Sequence, residues 1–175
     1  MSIFIVDVES DGPIPGIYSM VSFAAVKVES SLSITFKATL APISNNYILE
    51  SLNVSHVTRE EHEKFPNPNI AMHDFFNWVL KNNNGKCVFM SDNPCFDWQF
   101  INYYFHLYCK SNPFGHSGRR IGDFYSGIEK NWTSSSKWKK YRNTKHTHDP
   151  LDDAIGNAQA FIHFTKINNI YIPFN

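Results

Sequence analysis

The chain opens on an apolar run, Ile3-Phe4-Ile5-Val6, continuing as Asp7-Val8-Glu9. Rich in β-branched residues and lacking alternation at its start, it predicts a strand buried on both faces. Residues 20–28 and 32–40 predict two further strands. The second alternates, with Leu32, Ile34, Phe36, Ala38 and Leu40 on one face. The short Glu29-Ser30-Ser31 link makes the pair a hairpin. Residues 41–69 are loop-rich, holding Pro42, Asn45-Asn46, Pro66 and Pro68. One short helix is expected there near Thr58, whose hydroxyl has capping-box spacing to Glu61. Ala71, Met72, Phe75, Phe76, Val79 and Leu80 then recur at helical spacing, predicting an amphipathic helix over 70–80. Asn82-Asn83-Asn84-Gly85 ends it, and 86–90 reads as a short strand.

Two later helices begin alike. Asn93-Pro94 places a capping residue before a proline at the first helical position, and Asp149-Pro150 repeats the arrangement. The first is expected to run to about Cys109, with Phe96, Phe100, Tyr103, Tyr104 and Leu107 among its apolar residues. The second carries Ala154, Ile155, Ala158, Phe161 and Ile162. Residues 111–147 between them are polar and turn-rich, except for an apolar island at 121–125. A strand, a hairpin, then helix, strand and helix predict an α/β fold with a mixed sheet between helices. No internal repeat or linker divides the chain, so 1–175 is expected to be one domain.

At 175 residues the chain is long enough for one core. Its 15 Phe, 8 Tyr and 4 Trp supply that core, and also faces on which bases can stack. Lys+Arg and Asp+Glu balance at 16 each, so net charge gives no argument for nucleic acid. Cys87, Cys95 and Cys109 have no CxxC spacing, and Met1 leads straight into the first strand. Reduced thiols and a cytoplasmic location are expected. No stretch reaches transmembrane length, so no membrane partner is expected.

The chemistry lies in the acids. Asp7 and Glu9 are two apart on a strand and share a face at its carboxyl end. Adjacent carboxylates desolvate and repel each other unless a cation separates them. The alternatives are a site for Mg²⁺ or Mn²⁺ and a strand end with two solvated acids. Asp97 and Asp153 lie at matching depths in their helices. Either one alone could simply favour a helix dipole, but four acids in such settings could converge. Lys137, Lys139, Lys140, Arg142 and Lys145, interleaved with Trp138 and Tyr141, suit a phosphate-lined groove with stacked bases, or a solvated face. His146 and His148 have no further ligand at zinc spacing.

Together, Asp7-x-Glu9, Asn93-x-x-Phe96-Asp97 and His148-x-x-x-x-Asp153 resemble the three motifs of the DEDDh 3′→5′ exonucleases, the group of ribonuclease T, oligoribonuclease and polymerase proofreading subunits. The likeness spans essentially the whole chain and is strongest to a small bacterial and phage exoribonuclease subgroup. It implies a ribonuclease H-like mixed β-sheet flanked by α-helices. It also implies two divalent metal ions held by Asp7, Glu9, Asp97 and Asp153, with His148 as general base. The DEDDy sister group would have tyrosine where this chain has Asp149. Ser10-Asp11-Gly12 departs from the family's Thr-Gly, and Ser22 replaces an acid.

The resemblance makes Ser10, His56, Asn93 and Phe96 candidate substrate contacts. Lys139 and Lys140, with Lys137 and Arg142, are candidate phosphate contacts. Asp123 resembles an aspartate at the start of a strand in relatives, where a structural role is expected. The expected activity is exonucleolytic release of nucleoside 5′-monophosphates from single-stranded RNA. A DNA exonuclease and a non-catalytic nucleic-acid-binding module are the alternatives, and a homodimer is left open.

Overall fold

In a computed structural model describing residues 1–172, the N-terminal run becomes the central strand of one sheet. The strands are β1 (Ser2–Ser10), β2 (Met20–Lys27), β3 (Thr35–Thr39), β4 (Cys87–Ser91) and β5 (Gly118–Arg120). Their order is β3-β2-β1-β4-β5, antiparallel from β1 through β3 and parallel from β1 through β5. This is the expected ribonuclease H-like mixed sheet. The helices are α1 (Leu49–Val54), α2 (Arg59–His62), α3 (Pro68–Asn82), α4 (Pro94–Tyr104), α5 (Ile121–Ile128) and α6 (Pro150–Ile167).

Both faces of the sheet are covered, which is why β1 needs no alternation. Phe4, Val6 and Val8 point into a core shared with α3 and α4, where Phe75 stacks on Phe105 at 5.2 Å. Ile3 and Ile5 point the other way, into a core with Ala158, Phe161 and Phe164 of α6 and Tyr125 of α5. Side chains alternate along a strand, so Asp7 and Glu9 continue the Ile3 and Ile5 series toward α6. The parity of β1 thus decides which helix the two acids meet.

Several expected elements shift. The strand expected over 32–40 is only five residues long, because Leu32 takes a left-handed φ of 49° that a strand does not accept. The bond from Lys27 N–H to the Ile34 carbonyl closes the hairpin around that turn, at 3.0 Å. The helix expected over 70–80 starts at Pro68 with Asn67 as cap, a third Asn/Asp-Pro start. The capping box at Thr58 and Glu61 is present in both directions. The helix after Asn93 is α-helical only to Tyr104. Phe105–Cys109 continues as a π-helical turn that Lys110 ends at φ 61°.

The island at 121–125 is helix α5, so Asp123 occupies a helical first turn and not a strand start, paired with Arg120 at 3.2 Å. Trp138 lies in a single-turn 3₁₀ helix, Lys137–Tyr141, and is fully buried in the α6 core. That burial removes it from the expected base-stacking surface. A ring committed to the core has no face left for a ligand.

Candidate active site

The site forms where β1 runs out against the start of α6. Asp149 caps α6, accepting from the N–H groups of Leu151 and Asp152 at 3.0 and 3.3 Å, and Pro150 fills the first helical position. One turn on, Asp153 is fully buried and faces the end of β1. Asp7, Glu9 and Asp153 each offer an oxygen, all within 4.8 Å of one another. Such a group of hard oxygen donors suits a divalent ion.

Asp97 arrives on α4. It sits in the first turn of that helix, and its Oδ1 accepts the Val8 N–H at 3.2 Å. A strand N–H lies in the plane of the sheet, so Asp97 meets β1 at its edge, between Asp7 and Glu9. Its charge acts on Asp7 more than that of Glu9 or Asp153.

The electrostatics of the cluster call for a counter-charge. Burial first, then the charges of Asp97, Glu9 and Asp153, push Asp7 well above the ordinary carboxylate range. Burial and the charges of Asp153 and Asp97 push Glu9 up to about 8. Burial pushes Asp97 up to about 7, against the Val8 N–H it accepts. Protons or cations must compensate such groups.

His148 lies at the rim, just before α6, with its imidazole Nδ1 3.8 Å from Glu9 Oε1. Its φ of 58° turns the chain sharply into the helix. The side chain is 44% exposed, so it faces both solvent and cluster. Burial and the neighbouring His146 lower its pKa, while Asp153 raises it. The two imidazoles lie 4.3 Å apart.

The other sequence candidates divide among several places. Ser10 and Phe96 line one pocket of about 210 Å³ with Glu9, Gly12, Ser51 and Val54. His56 and His148 line another of about 210 Å³, with Ser22, Lys37 and Asp149. Asn93 is the exposed cap residue of α4, and its side chain makes no cap bond. Lys139 pairs with Asp92 at 2.6 Å, and the Lys140 ammonium lies 4.8 Å from the Tyr141 ring centroid.

Arg142, expected among the phosphate contacts, instead pairs with Asp153 at 2.6 Å and is nearly buried. Buried across the first turns of α6, its guanidinium is closed to a phosphate. Three neighbours of the cluster were not expected from the sequence to touch it. Ser55 Oγ lies 3.5 Å from Glu9 Oε2, His146 Nδ1 lies 2.5 Å from Asp153 Oδ2, and Arg142 has just been described. No local signal marks them, because each reaches the cluster through a loop.

A buried Asp11 ties down the rim. Its carboxylate accepts from the Ser19 N–H at 2.5 Å and from Arg59 Nη1 at 3.2 Å, with His62 Nδ1 3.5 Å away. Loop 11–19 is thereby fastened to α2, next to the helix that carries Ser51 and Val54. Burial pushes the His62 pKa down to about 4.

Carboxylates gathered at the carboxyl end of the central strand of a mixed sheet, with a histidine at the rim, define a ribonuclease H-like nuclease site. Comparison with known proteins makes the class specific. The Escherichia coli 3′-5′ DNA exonuclease Cap18 is 38% identical over 176 residues, covering 93% of this chain and 91% of its own length. The chain belongs to the DEDDh 3′→5′ exonuclease family and is a 3′→5′ exonuclease, a hydrolase that binds nucleic acid.

Among solved structures, the nuclease domain of 3′hExo, a DEDDh family member bound to rAMP, superposes with a TM-score of 0.76. It is 15% identical, covering 98% of this chain and 94% of its own. E. coli Exonuclease I in complex with a dT13 oligonucleotide gives 0.74 at 15% identity, covering 96% of this chain but 41% of its own. At such identities the likeness is one of fold. No protein-family model matches the sequence. Family members use divalent metal ions, and the oxygen-rich, charge-loaded cluster fits them. No helix among the described residues is long and apolar enough to cross a membrane.

Proposed function

We propose that the protein is a metal-dependent exonuclease that removes nucleoside 5′-monophosphates from the 3′ ends of single-stranded DNA. The observation carrying this is the convergence of Asp7, Glu9 and Asp153, with Asp97 on the Val8 N–H between the two strand acids and His148 beside Glu9. The choice of DNA is supported by the name of the 38% identical Cap18. RNA, expected from the resemblance to exoribonucleases, is the competing substrate.

Asp7, Glu9, Asp97 and Asp153 would hold two Mg²⁺ or Mn²⁺ ions. Bound there, such ions stabilise the attacking and leaving oxygens of an in-line displacement at phosphorus. His148 accepts the proton of the attacking water. Its exposure and its place beside Glu9 let the ring reach the water without becoming a ligand. Phe96 and Val54 give the terminal base apolar surface in the pocket next to Glu9, which Ser10 also lines, and Asn93, the exposed cap of α4, contacts the substrate near Phe96. His56 lies across the site beside His148. Lys139 and Lys140 bind phosphates of the incoming strand, Lys139 exchanging its Asp92 partner for one. The free thiols of Cys87, Cys95 and Cys109 fit a reducing cytoplasm.

The test is a pair of 5′-labelled oligomers of one sequence, DNA and RNA, incubated with Mn²⁺ and resolved at single-nucleotide steps. Expected is a ladder shortening from the 3′ end, faster on DNA, with 5′-monophosphate products. Faster trimming of RNA returns the exoribonuclease reading. Binding without any ladder returns the non-catalytic one.

A further inference from the structure

The turn that brings His148 to the site is closed by a guanidinium. Arg142 lies at the start of that turn, and its side chain is only 7% exposed. Nη2 donates to Asp153 Oδ1 at 2.6 Å and to the Lys145 carbonyl at 3.4 Å, and Nη1 donates to Asn157 Oδ1 at 3.2 Å. One planar group therefore spans a full turn of α6 and the middle of the loop. The far end of the loop is held by the same carboxylate. Asp153 accepts the Thr147 N–H at 3.2 Å and the His148 N–H at 2.9 Å.

Gly156 makes room for this contact. A Cβ there would lie 2.8 Å from both Arg142 Nε and Nη2, and 2.5 Å from Thr144 Oγ1. Glycine inside a helix is otherwise unfavourable, so its place in α6 has a steric reason.

We propose that Arg142 is a positioning residue of the exonuclease reaction. By bridging Asp153, Asn157 and the Lys145 carbonyl, it holds the 142–148 turn against α6. It thereby sets where the His148 imidazole stands relative to Glu9. A lysine could supply the charge but not the fork, because a single ammonium does not reproduce the planar, two-armed geometry. The proposal rests on the assignment of Asp153 and His148 to the reaction.

Three variants of the full chain test it, Arg142→Gln, Arg142→Lys and Gly156→Ala, each read by steady-state kinetics and by amide hydrogen exchange of the metal-free protein. Arg142→Gln is expected to lower kcat by about 10- to 100-fold, the usual effect of losing an outer partner of a site ligand, with KM close to wild type. The Thr147 and His148 amides should lose protection in the same variant, since both donate to Asp153. Gly156→Ala should do the same while keeping the helix, because the added methyl displaces the Arg142 guanidinium and Thr144 Oγ1 from the helix surface. It thus serves if Arg142→Gln fails to fold. Arg142→Lys should recover little of either.

Full rescue by lysine, or unchanged amide protection in Gly156→Ala, overturns the positioning role. Full activity in Asp153→Asn would instead overturn the site assignment itself, and the exchange data would still decide whether Arg142 holds the turn.

Discussion

At the residue scale the proposed mechanism separates groups that hold charge from the group that moves a proton. His148 faces solvent, lies 3.8 Å from Glu9, and is fixed through its backbone N–H to Asp153. His148→Ala should lower kcat by about two to four orders of magnitude while metal affinity stays near wild type. Its environment lowers the imidazole pKa. The acid limb of the wild-type rate profile should therefore lie below the ordinary histidine range and vanish in the variant. Loss of metal binding together with activity would make His148 a ligand. Asp7 and Asp97 differ in the same way of thinking. Asp7→Ala removes a desolvated charge and should abolish turnover while raising the melting temperature of the metal-free protein. Asp97→Ala should abolish turnover without that gain, because the Val8 N–H loses its acceptor.

At the element scale, α6 carries most of the arrangement. Its cap, Asp149, satisfies two backbone N–H groups and also pairs with Lys37 of β3, so it fastens the helix start to the sheet edge. Asp149→Ala should cost about 1 kcal/mol of stability by chemical denaturation, the usual loss for a cap. The neighbouring 3₁₀ segment has an inside and an outside. Trp138 anchors it in the core, while Lys139 and Lys140 stay on the outside. Changing both lysines to Gln should weaken single-strand binding for all sequences alike and reduce the magnitude of the log–log salt slope by about 1.4. An unchanged slope, measured by fluorescence anisotropy across salt, would mark both lysines as a solvated face.

At the scale of the whole molecule, folding gathers like charges and metal binding offsets them. Glu9 rises from 4.5 to about 8 on folding, and Asp7 and Asp97 also rise. Groups whose pKa rises on folding bind protons more tightly in the native state. Their contribution is present at low pH and is lost as pH climbs toward the folded values. His62 works oppositely, but between about 4 and 6.5. The metal-free protein should thus melt at a lower temperature at about pH 8.5 than at about pH 7. Mn²⁺ should restore the difference and a chelator should remove it again, along with activity. A melting temperature that rises over this interval in the absence of metal would contradict the cluster's electrostatics.

Some of this was written in local pattern. The uninterrupted run before Asp7 requires a two-sided strand, and the spacing of Asp7 and Glu9 requires a shared face. The Asn93-Pro94 and Asp149-Pro150 starts place Asp97 and Asp153 in first turns, and Thr58 with Glu61 marks a cap. All these are carried by near neighbours in the chain, so they are legible without knowing which elements meet. The Asn67-Pro68 start carried the same signal, so the true beginning of α3 was equally legible. Leu32 hid its left-handed turn inside an alternating stretch, since alternation does not report the sign of φ. Trp138 and Arg142 sit in a basic run that reads either as a phosphate-lined groove with stacked bases or as a solvated face. Only packing decides that the indole fills the α6 core, and that the guanidinium crosses the helix at Gly156 to reach Asp153. That Asp97 reaches the Val8 N–H of β1 also depends on how α4 packs against the sheet. Sequence spacing specifies the direction of a side chain within its own element; the meeting of elements is decided by burial, charge and steric fit among residues far apart in the chain.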